Sequence, residues 1–193
     1  YRQASAAPAF DGEPTRLEGE TLLAGEGEFT IAGEALEEIR IGEEQEVTWT
    51  VESDSDAQYQ IWICCEAVPG GSGPVELEVL VDGESPFQEA SQLVMERYYK
   101  NERDSIETDA SQNDIRPTQV EAERLTARAL RDSRGYFSEP FSFELRRGQN
   151  RLTLRVQREA LRIRWIELRA PSVLPRYAQV KESYDHCPPR ERN

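Results

Sequence analysis

The hydrophobic positions of this chain recur at every second residue rather than every third or fourth. Val47, Trp49 and Val51 alternate with Thr48, Thr50 and Glu52, and Val75, Leu77, Val79 and Val81 alternate with Glu76, Glu78 and Leu80. Phe141, Phe143 and Leu145 keep the same period, as do Leu152, Leu154 and Val156, between which stand Thr153 and Arg155. Successive side chains of a strand point to opposite faces, so this pattern predicts half-buried strands. Tyr59 to Ala67 is more continuously apolar and reads as a central strand, Leu125 to Asp132 as a further one, and Leu161 to Arg169 as the strand that closes the structure.

Turn residues punctuate these runs. Ser53-Asp54-Ser55-Asp56 is a polar turn, Pro69-Gly70-Gly71-Ser72-Gly73-Pro74 a loop, and Asp82-Gly83 a tight-turn signal at the end of its strand. Arg147-Gly148-Gln149-Asn150 reads as a hairpin turn. Between residues 84 and 118 the rhythm breaks. Pro86 to Met95 fits a short helix or a strand-like excursion, and Lys100 to Asn113 reads as a long polar loop, of the kind that in compact domains carries function or is disordered. About ten short strands separated by turns define an all-β class, an antiparallel β-sandwich of jelly-roll, galactose-binding-like type with one long irregular insertion. Residues 16–170 form the sandwich, residues 1–15 a flexible lead-in, and residues 171–193 a C-terminal helix (Arg176 to Tyr184) or a linker to a missing domain.

Composition narrows the chemistry. With 37 acidic against 23 basic side chains and a formal net charge of −14, most of the surface repels a nucleic-acid backbone, so that partner is excluded. No run approaches the roughly 20 apolar residues a membrane-spanning helix needs, and no signal-peptide core is visible. The chain opens on Tyr1, which points to a mature or trimmed fragment. Cys64 and Cys65 are adjacent on a strand and point opposite ways, so they read as small buried hydrophobes rather than a disulfide framework. The single histidine, His186, lies in the tail beside Cys187. That leaves zinc sites and Ser-His-Asp or Cys-His catalysis almost nothing to build on. No glycine-rich phosphate loop is present, and among 37 acids a carboxylate pair is expected by chance. The reading is of a protein that is not an enzyme.

From Tyr59 to Glu167 the order of motifs resembles the carbohydrate-binding modules of families 6 and 35. The shared pieces are Tyr59 and Ile61, then Val81-Asp82-Gly83, then Gly148, Asn150, Leu152 and Leu154, and a last strand ending Ile166-Glu167-Leu168. Across residues 81–168 the series Val81-Asp82-Gly83-Glu84-Ser85-Pro86-Phe87, Asn113 to Glu121, Leu130-Arg131-Asp132-Ser133 and Gly135 to Phe141 is similar to a module near the N-terminus of large extracellular solute-binding proteins of bacterial ABC transporters. That resemblance implies a module cut from a cell-surface lipoprotein for sugar uptake, extracellular, with a solute-binding domain of the same polypeptide as its partner. In the two families a Glu-x-Glu motif helps to hold a structural calcium, and Glu18-Gly19-Glu20 fits that position. Their last strand supplies an aspartate where this chain has Arg164. An arginine repels calcium, so the expectation is that Arg164 pairs with Glu18 or Glu20 and replaces the ion.

Sugar-binding sites stack aromatic rings on the apolar faces of pyranoses and flank them with polar side chains. The aromatic candidates are Trp62, Tyr98, Tyr99, Tyr136 and Phe137, while Trp49 and Trp165 read as core. The densest polar cluster is Asn113, Asp114, Arg116, Gln119 and Glu121, with Pro117 holding Arg116 extended. The same cluster also suits a purely structural role, tying the long insertion to the sandwich. Two functions follow: a module that binds a glycan or oligosaccharide, or a module that spaces or docks a neighbouring domain. Exposed aromatics on a rim facing the insertion favour the first. An insertion packed down by a buried Arg116 salt bridge favours the second.

Overall fold

The computed structural model describes residues 7–18, 21–25, 28–32 and 35–171. The expected C-terminal helix, Cys187 and His186 lie outside the described residues. Sixteen strands form in the described chain: β1 (Thr15–Arg16), β2 (Leu22–Gly25), β3 (Glu28–Ala32), β4 (Ala35–Ile41), β5 (Glu46–Ser53), β6 (Ala57–Ala67), β7 (Val75–Val81), β8 (Leu93–Met95), β9 (Tyr99–Asn101), β10 (Glu107–Thr108), β11 (Asp114–Ile115), β12 (Gln119–Glu121), β13 (Thr126–Ala129), β14 (Ser142–Leu145), β15 (Gly148–Arg158) and β16 (Leu161–Arg169). A 3-10 turn, Gln88–Ser91, precedes β8.

Two antiparallel sheets face each other. The larger runs β13-β6-β16-β4-β3, with β14 also on β6 and β1 on β16; the smaller runs β2-β5-β15-β7-β8. The alternation sets which side chains meet between them. Val47, Trp49 and Val51 of β5, Leu77 and Val79 of β7, and Leu152, Leu154 and Val156 of β15 are buried on the inner face of the smaller sheet. Ile61, Ile63 and Cys65 of β6 and Ile163, Ile166 and Leu168 of β16 oppose them. The chain is thus the antiparallel β-sandwich that the period predicts. β16 does not close the larger sheet but lies inside it, between β6 and β4.

Two turns show how local chemistry fixes this register. At Asp82 and Gly83 φ is 53° and 84°, and Val81 and Glu84 exchange both backbone hydrogen bonds, as a type I′ turn requires. Asp82 then accepts the Arg151 N–H through Oδ1 at 2.8 Å and ties the turn to β15. The Arg147–Asn150 segment is not a hairpin turn, because β14 belongs to the larger sheet and β15 to the smaller. It is the corner where the chain changes sheets. Buried Asn150 fastens it, accepting the Arg146 N–H at 2.8 Å and donating to the carbonyls of Arg146 and Gly148. In the lead-in, Phe10 donates to Gln58, Pro8 accepts from it, and the Phe10 ring stacks on Tyr59 at 4.4 Å.

The insertion holds more order than its composition suggests. Phe87 packs on Phe141 and Phe143, with ring centroids 5.1 and 5.3 Å apart, and seats the 3-10 turn, whose Ala90 is buried. Residues 99–121 are an arm rather than an open loop, made of the ribbon β9–β12 and, beyond it, the ribbon β10–β11. At the arm's base sits Arg97, its side chain 2% exposed. Its guanidinium donates to the carbonyls of Gly73 (2.5 Å) and Val68 (2.7 Å), to Glu121 Oε1 (2.5 Å) and to Glu159 Oε2 (2.9 Å). Glu159 Oε1 accepts the N–H groups of Ser72 and Gly73, and Glu121 Oε2 accepts that of Gly70. One cation thereby joins the 69–74 loop, the β15–β16 turn and the arm. Gly71 must lack a side chain here, because a Cβ would stand 1.8 Å from Arg97 Nη2.

Breaking a buried pair leaves its partners uncompensated, so Arg97→Met is expected to lower stability by about 3–5 kcal/mol in urea unfolding. Gly71→Ala should destabilise by the same route. Arg103→Ala, which removes an exposed ion pair to Glu107, should stay within about 0.5 kcal/mol. Equal losses at Arg97 and Arg103 would contradict the assignment. Acid should act on the same network. The N–H groups of Gly70 and Ser72, foremost, hold the carboxyls of Glu121 and Glu159 below the ordinary value of 4.5, against burial and with help from Arg97. Depressed folded values mean that the unfolded chain binds more protons, so this stability is complete above about pH 4.5 and lost as pH falls further. Unfolding midpoints measured from pH 6 to pH 3 should fall in that lower window, and by less in Glu159→Gln.

Candidate functional site

The loop between β13 and β14 is shaped by one carboxylate. Asp132 is 8% exposed, and its oxygens accept the N–H groups of Arg134 (2.9 Å), Tyr136 (2.5 Å) and Phe137 (3.1 Å). An aspartate that caps the backbone beyond itself is the usual way to hold such a turn, and Gly135 supplies the positive φ of 76° that the path needs. Burial works against the charge, yet the three donors outweigh it and keep the carboxyl below its ordinary 3.8. The loop's ends are fixed too, by the Arg131–Pro140 bridge and by the Phe141 N–H on the Leu130 carbonyl. On this frame Tyr136 stands 79% exposed and Phe137 half-buried.

Opposite lies the 3-10 turn of the insertion, and Ser133 Oγ donates to the Gln92 carbonyl at 3.2 Å across the gap. Between them is a hollow of about 400 Å³, lined by Gln88, Glu89 and Gln92 on one side and by Asp132, Arg134, Tyr136, Phe137 and Phe141 on the other. The hollow offers one broad aromatic face, two amides that each donate and accept, and a guanidinium. A ring with an apolar face and a rim of hydroxyls meets all three.

The seven ligand-binding residues expected from the sequence fall in three separate places. Asn113, Asp114, Arg116 and Gln119 are exposed on the arm. Asn113 donates its amide to Asp109 at 3.0 Å and shapes the arm's tip, while Gln119 bonds Asn101 across the β9–β12 ribbon. Arg116 lines a hollow of about 150 Å³ within the arm itself, with Glu102, Glu107 and Pro117. Tyr99 is on the arm and 55% exposed, but Tyr98 is half-buried under Arg124 (5.0 Å) and bonded to Arg128 through its hydroxyl. Trp62 lies on the outer face of the larger sheet beneath the Arg169 guanidinium, 4.3 Å away. Trp165 is on that same outer face, not in the core, because β16 bulges between Ile163 and Trp165. Tyr136 and Phe137 are the two aromatic candidates that the fold brings to one cavity. Gln88, Gln92, Asp132 and Arg134 escaped sequence reasoning, although Asp132 followed three residues later by Gly135 is a turn signal that could have found the loop.

On the metal question, Glu18 makes its ion pair with Arg16, at 3.7 Å, rather than with Arg164, which is exposed. Glu20 lies outside the described residues. Among the described residues no cluster of three or more His, Cys, Asp or Glu side chains could hold a metal ion. Cys65 is buried in the core, which pushes its thiol up to about 12, and Cys64 is half-buried on the outer face.

No known family's sequence profile matches the chain, and no curated protein matches it. Solved structures do resemble it. A family 35 carbohydrate-binding module of Cellvibrio japonicus Abf62 is 12% identical with a TM-score of 0.49, aligning 83% of this chain to 95% of that one. The C-terminal family 6 module of a laminarinase from Zobellia galactanivorans is 11% identical with a TM-score of 0.46, over 81% of this chain and 99% of the other. A Podospora anserina β-(1,4)-mannanase carrying a family 35 module is 15% identical with a TM-score of 0.45; 84% of this chain covers 29% of that enzyme.

The Asp132 cage has a direct readout. In hydrogen exchange the amides of Arg134, Tyr136 and Phe137 should be protected at pH 7 and lose that protection in Asp132→Ala, with the exchange of β6 unchanged. Because the Asp132 pKa is depressed, the wild-type loop should hold its protection down to pH 3.8 and loosen only below it. Unchanged exchange in the variant would show that the carboxylate does not hold the loop.

Proposed function

We propose that this chain is a non-catalytic glycan-binding module whose site is the rim hollow between the 3-10 turn and the 132–141 loop. The observation that carries the proposal is Tyr136, held 79% exposed by a caged aspartate beside Gln88, Gln92 and Arg134. A large exposed aromatic on a rigid backbone loses little conformational freedom when a ring stacks on it, which favours binding. The rim faces the insertion and Arg116 is exposed rather than buried in a salt bridge, which supports sugar binding; the packing of Phe87 and the buried Arg97 pairs at the base of the arm suit the spacing role equally. The proposal agrees with the resemblance of residues 59–167 to family 6 and 35 modules.

On the similarity of residues 81–168 to a module of bacterial solute-binding proteins, the proposal extends to context. The module would sit outside the cell on a surface-anchored lipoprotein and concentrate oligosaccharide beside a solute-binding domain of the same polypeptide, for uptake by a transporter. No helix among the described residues is long and apolar enough to cross a membrane, so in this reading any anchor belongs to another part of the protein.

A glycan array followed by calorimetric titration tests the site. Tyr136→Ala should weaken binding of any hit by about tenfold or more while leaving the circular dichroism and urea midpoint unchanged. Arg116→Ala on the arm should bind as the parent does. The reverse pattern would move the site to the arm, and no binding to any glycan would favour a domain-spacing role.

A further inference from the structure

The hollow at Tyr136 does not end at the loop. A second hollow of about 470 Å³ shares Gln92 and Arg134 with it and continues past Ser91 and Ser133 to Gln157. A third, of about 240 Å³, shares Leu93, Val94, Glu96 and Ser133 with the second and runs between β8 and β13, past Arg128 and Arg131. Three concavities thus form one track along the edge where the two sheets stop. Arg128, Arg131 and Arg134 stand along it at every third position of one chain segment.

These arginines differ from several on the sheets. Arg155 bridges Glu46 and Glu78, and Arg162 pairs with Glu66, as an acidic protein readily allows. Among the described residues no carboxylate lies within ion-pair distance of Arg128, Arg131 or Arg134. The nearest acid in sequence, Asp132, has its oxygens occupied by three backbone N–H groups. Arg128 spends one nitrogen on the Tyr98 hydroxyl, while its Nε is buried with no partner. Glu76, Glu89 and Glu96 also line the track, with Glu76 already 3.5 Å from Arg158. Arg116, Arg124, Arg146, Arg147, Arg151 and Arg164 likewise make no ion pair among the described residues, but none lines the track, and the hollows at Arg116 and Arg146 contain no aromatic side chain. The track thus gathers three guanidiniums that make no ion pair beside an exposed tyrosine, in a chain of net charge −14.

We infer that the ligand of this rim is an anionic glycan, with its carboxylate or sulfate groups taken by Arg131 and Arg134 while Tyr136 stacks on a ring. The inference rests on the sugar-binding reading of the same site and specifies its substrate class. A guanidinium presents a planar fork that matches a carboxylate or a sulfate ester with two parallel hydrogen bonds, whereas a neutral hydroxyl uses only one of its donors. The length of the track, three hollows rather than one, fits several sugar units more than a single residue.

The test is calorimetric titration of the full chain with a uronic-acid oligosaccharide, the same oligosaccharide after carboxyl reduction, and a sulfated oligosaccharide of equal length. The expected result is that at least one acidic form binds about tenfold or more tighter than the carboxyl-reduced form. Arg134→Gln and Arg131→Gln should each remove most of that preference, whereas Arg151→Gln, on an exposed position away from the track, should keep it. Preference for the uronic form alone identifies carboxylate as the recognised group, and preference for the sulfated form identifies sulfate. If the reduced, neutral form binds as tightly as the acidic ones, the inference is overturned while the sugar-binding reading stands. If none of the three binds, the inference is overturned, and the sugar-binding reading falls with it only if the glycan array is blank as well.

Discussion

Arg97 is a charge placed where water does not reach, and the arrangement around it follows from that constraint. A guanidinium so buried is tolerated only if its donors are occupied and its charge is opposed, and here two carboxylates and two carbonyls do both. The partners come from three distant stretches of chain, so satisfying one side chain fixes the relative positions of the 69–74 loop, the β15–β16 turn and the base of the arm. Gly71 is open backbone for the same reason, and Glu159 accepts a positive φ of 67° to bring its carboxylate into place. The proposed binding rim inherits this order. β8 leads directly into Arg97, and the 3-10 turn that forms one wall of the hollow leads into β8.

The division of labour in the molecule is physical. Hydrophobic alternation builds two sheets and buries their inner faces, a task that leaves no chemistry behind. In the proposed function, recognition is left to the places where the alternation stops, at the edge strands and the connections between them. On the outer face of the larger sheet the same logic runs the other way: Trp62 and Trp165 are covered by Arg169 and Arg16, so these large aromatics are spent within the protein. Tyr136 is not covered in this manner, and it stands over a cavity whose walls are held by hydrogen bonds and ring packing.

What could be read from the sequence was what depends on neighbours in the sequence. β5, β7 and β15 declare themselves by their period, and Asp82-Gly83 declares its turn, because both are local. The corner at Asn150 looked like a hairpin because a turn signal is the same whether the next strand joins the same sheet or the opposite one; only the partners of β14 and β15 distinguish them. Trp165 was misplaced by a single-residue bulge in β16, which reverses the faces of the positions after it relative to Leu161 and Ile163. The arm was hidden because its strands are two or three residues long and polar, too short for any period to show. The site divides in the same way. Tyr136 and Phe137 were visible as aromatics, while Gln88, Gln92 and Arg134 become neighbours only when Phe87 seats the 3-10 turn on Phe141 and Phe143. The dense polar cluster at Asn113 drew attention by composition, yet Asn113, Gln119 and Glu121 are engaged in holding the arm.

The account's central claim is that ligand enters at the Tyr136 rim and nowhere else on the described surface. Backbone and side-chain chemical shifts followed during titration with a glycan that binds would test it most directly. The account predicts that shifts concentrate on Tyr136, Phe137, Arg134 and the amides of Gln88 and Gln92, with the arm and the Trp62 face silent. Shifts centred on Asn113, Arg116 and Gln119, or on Trp62 and Trp165, would contradict it.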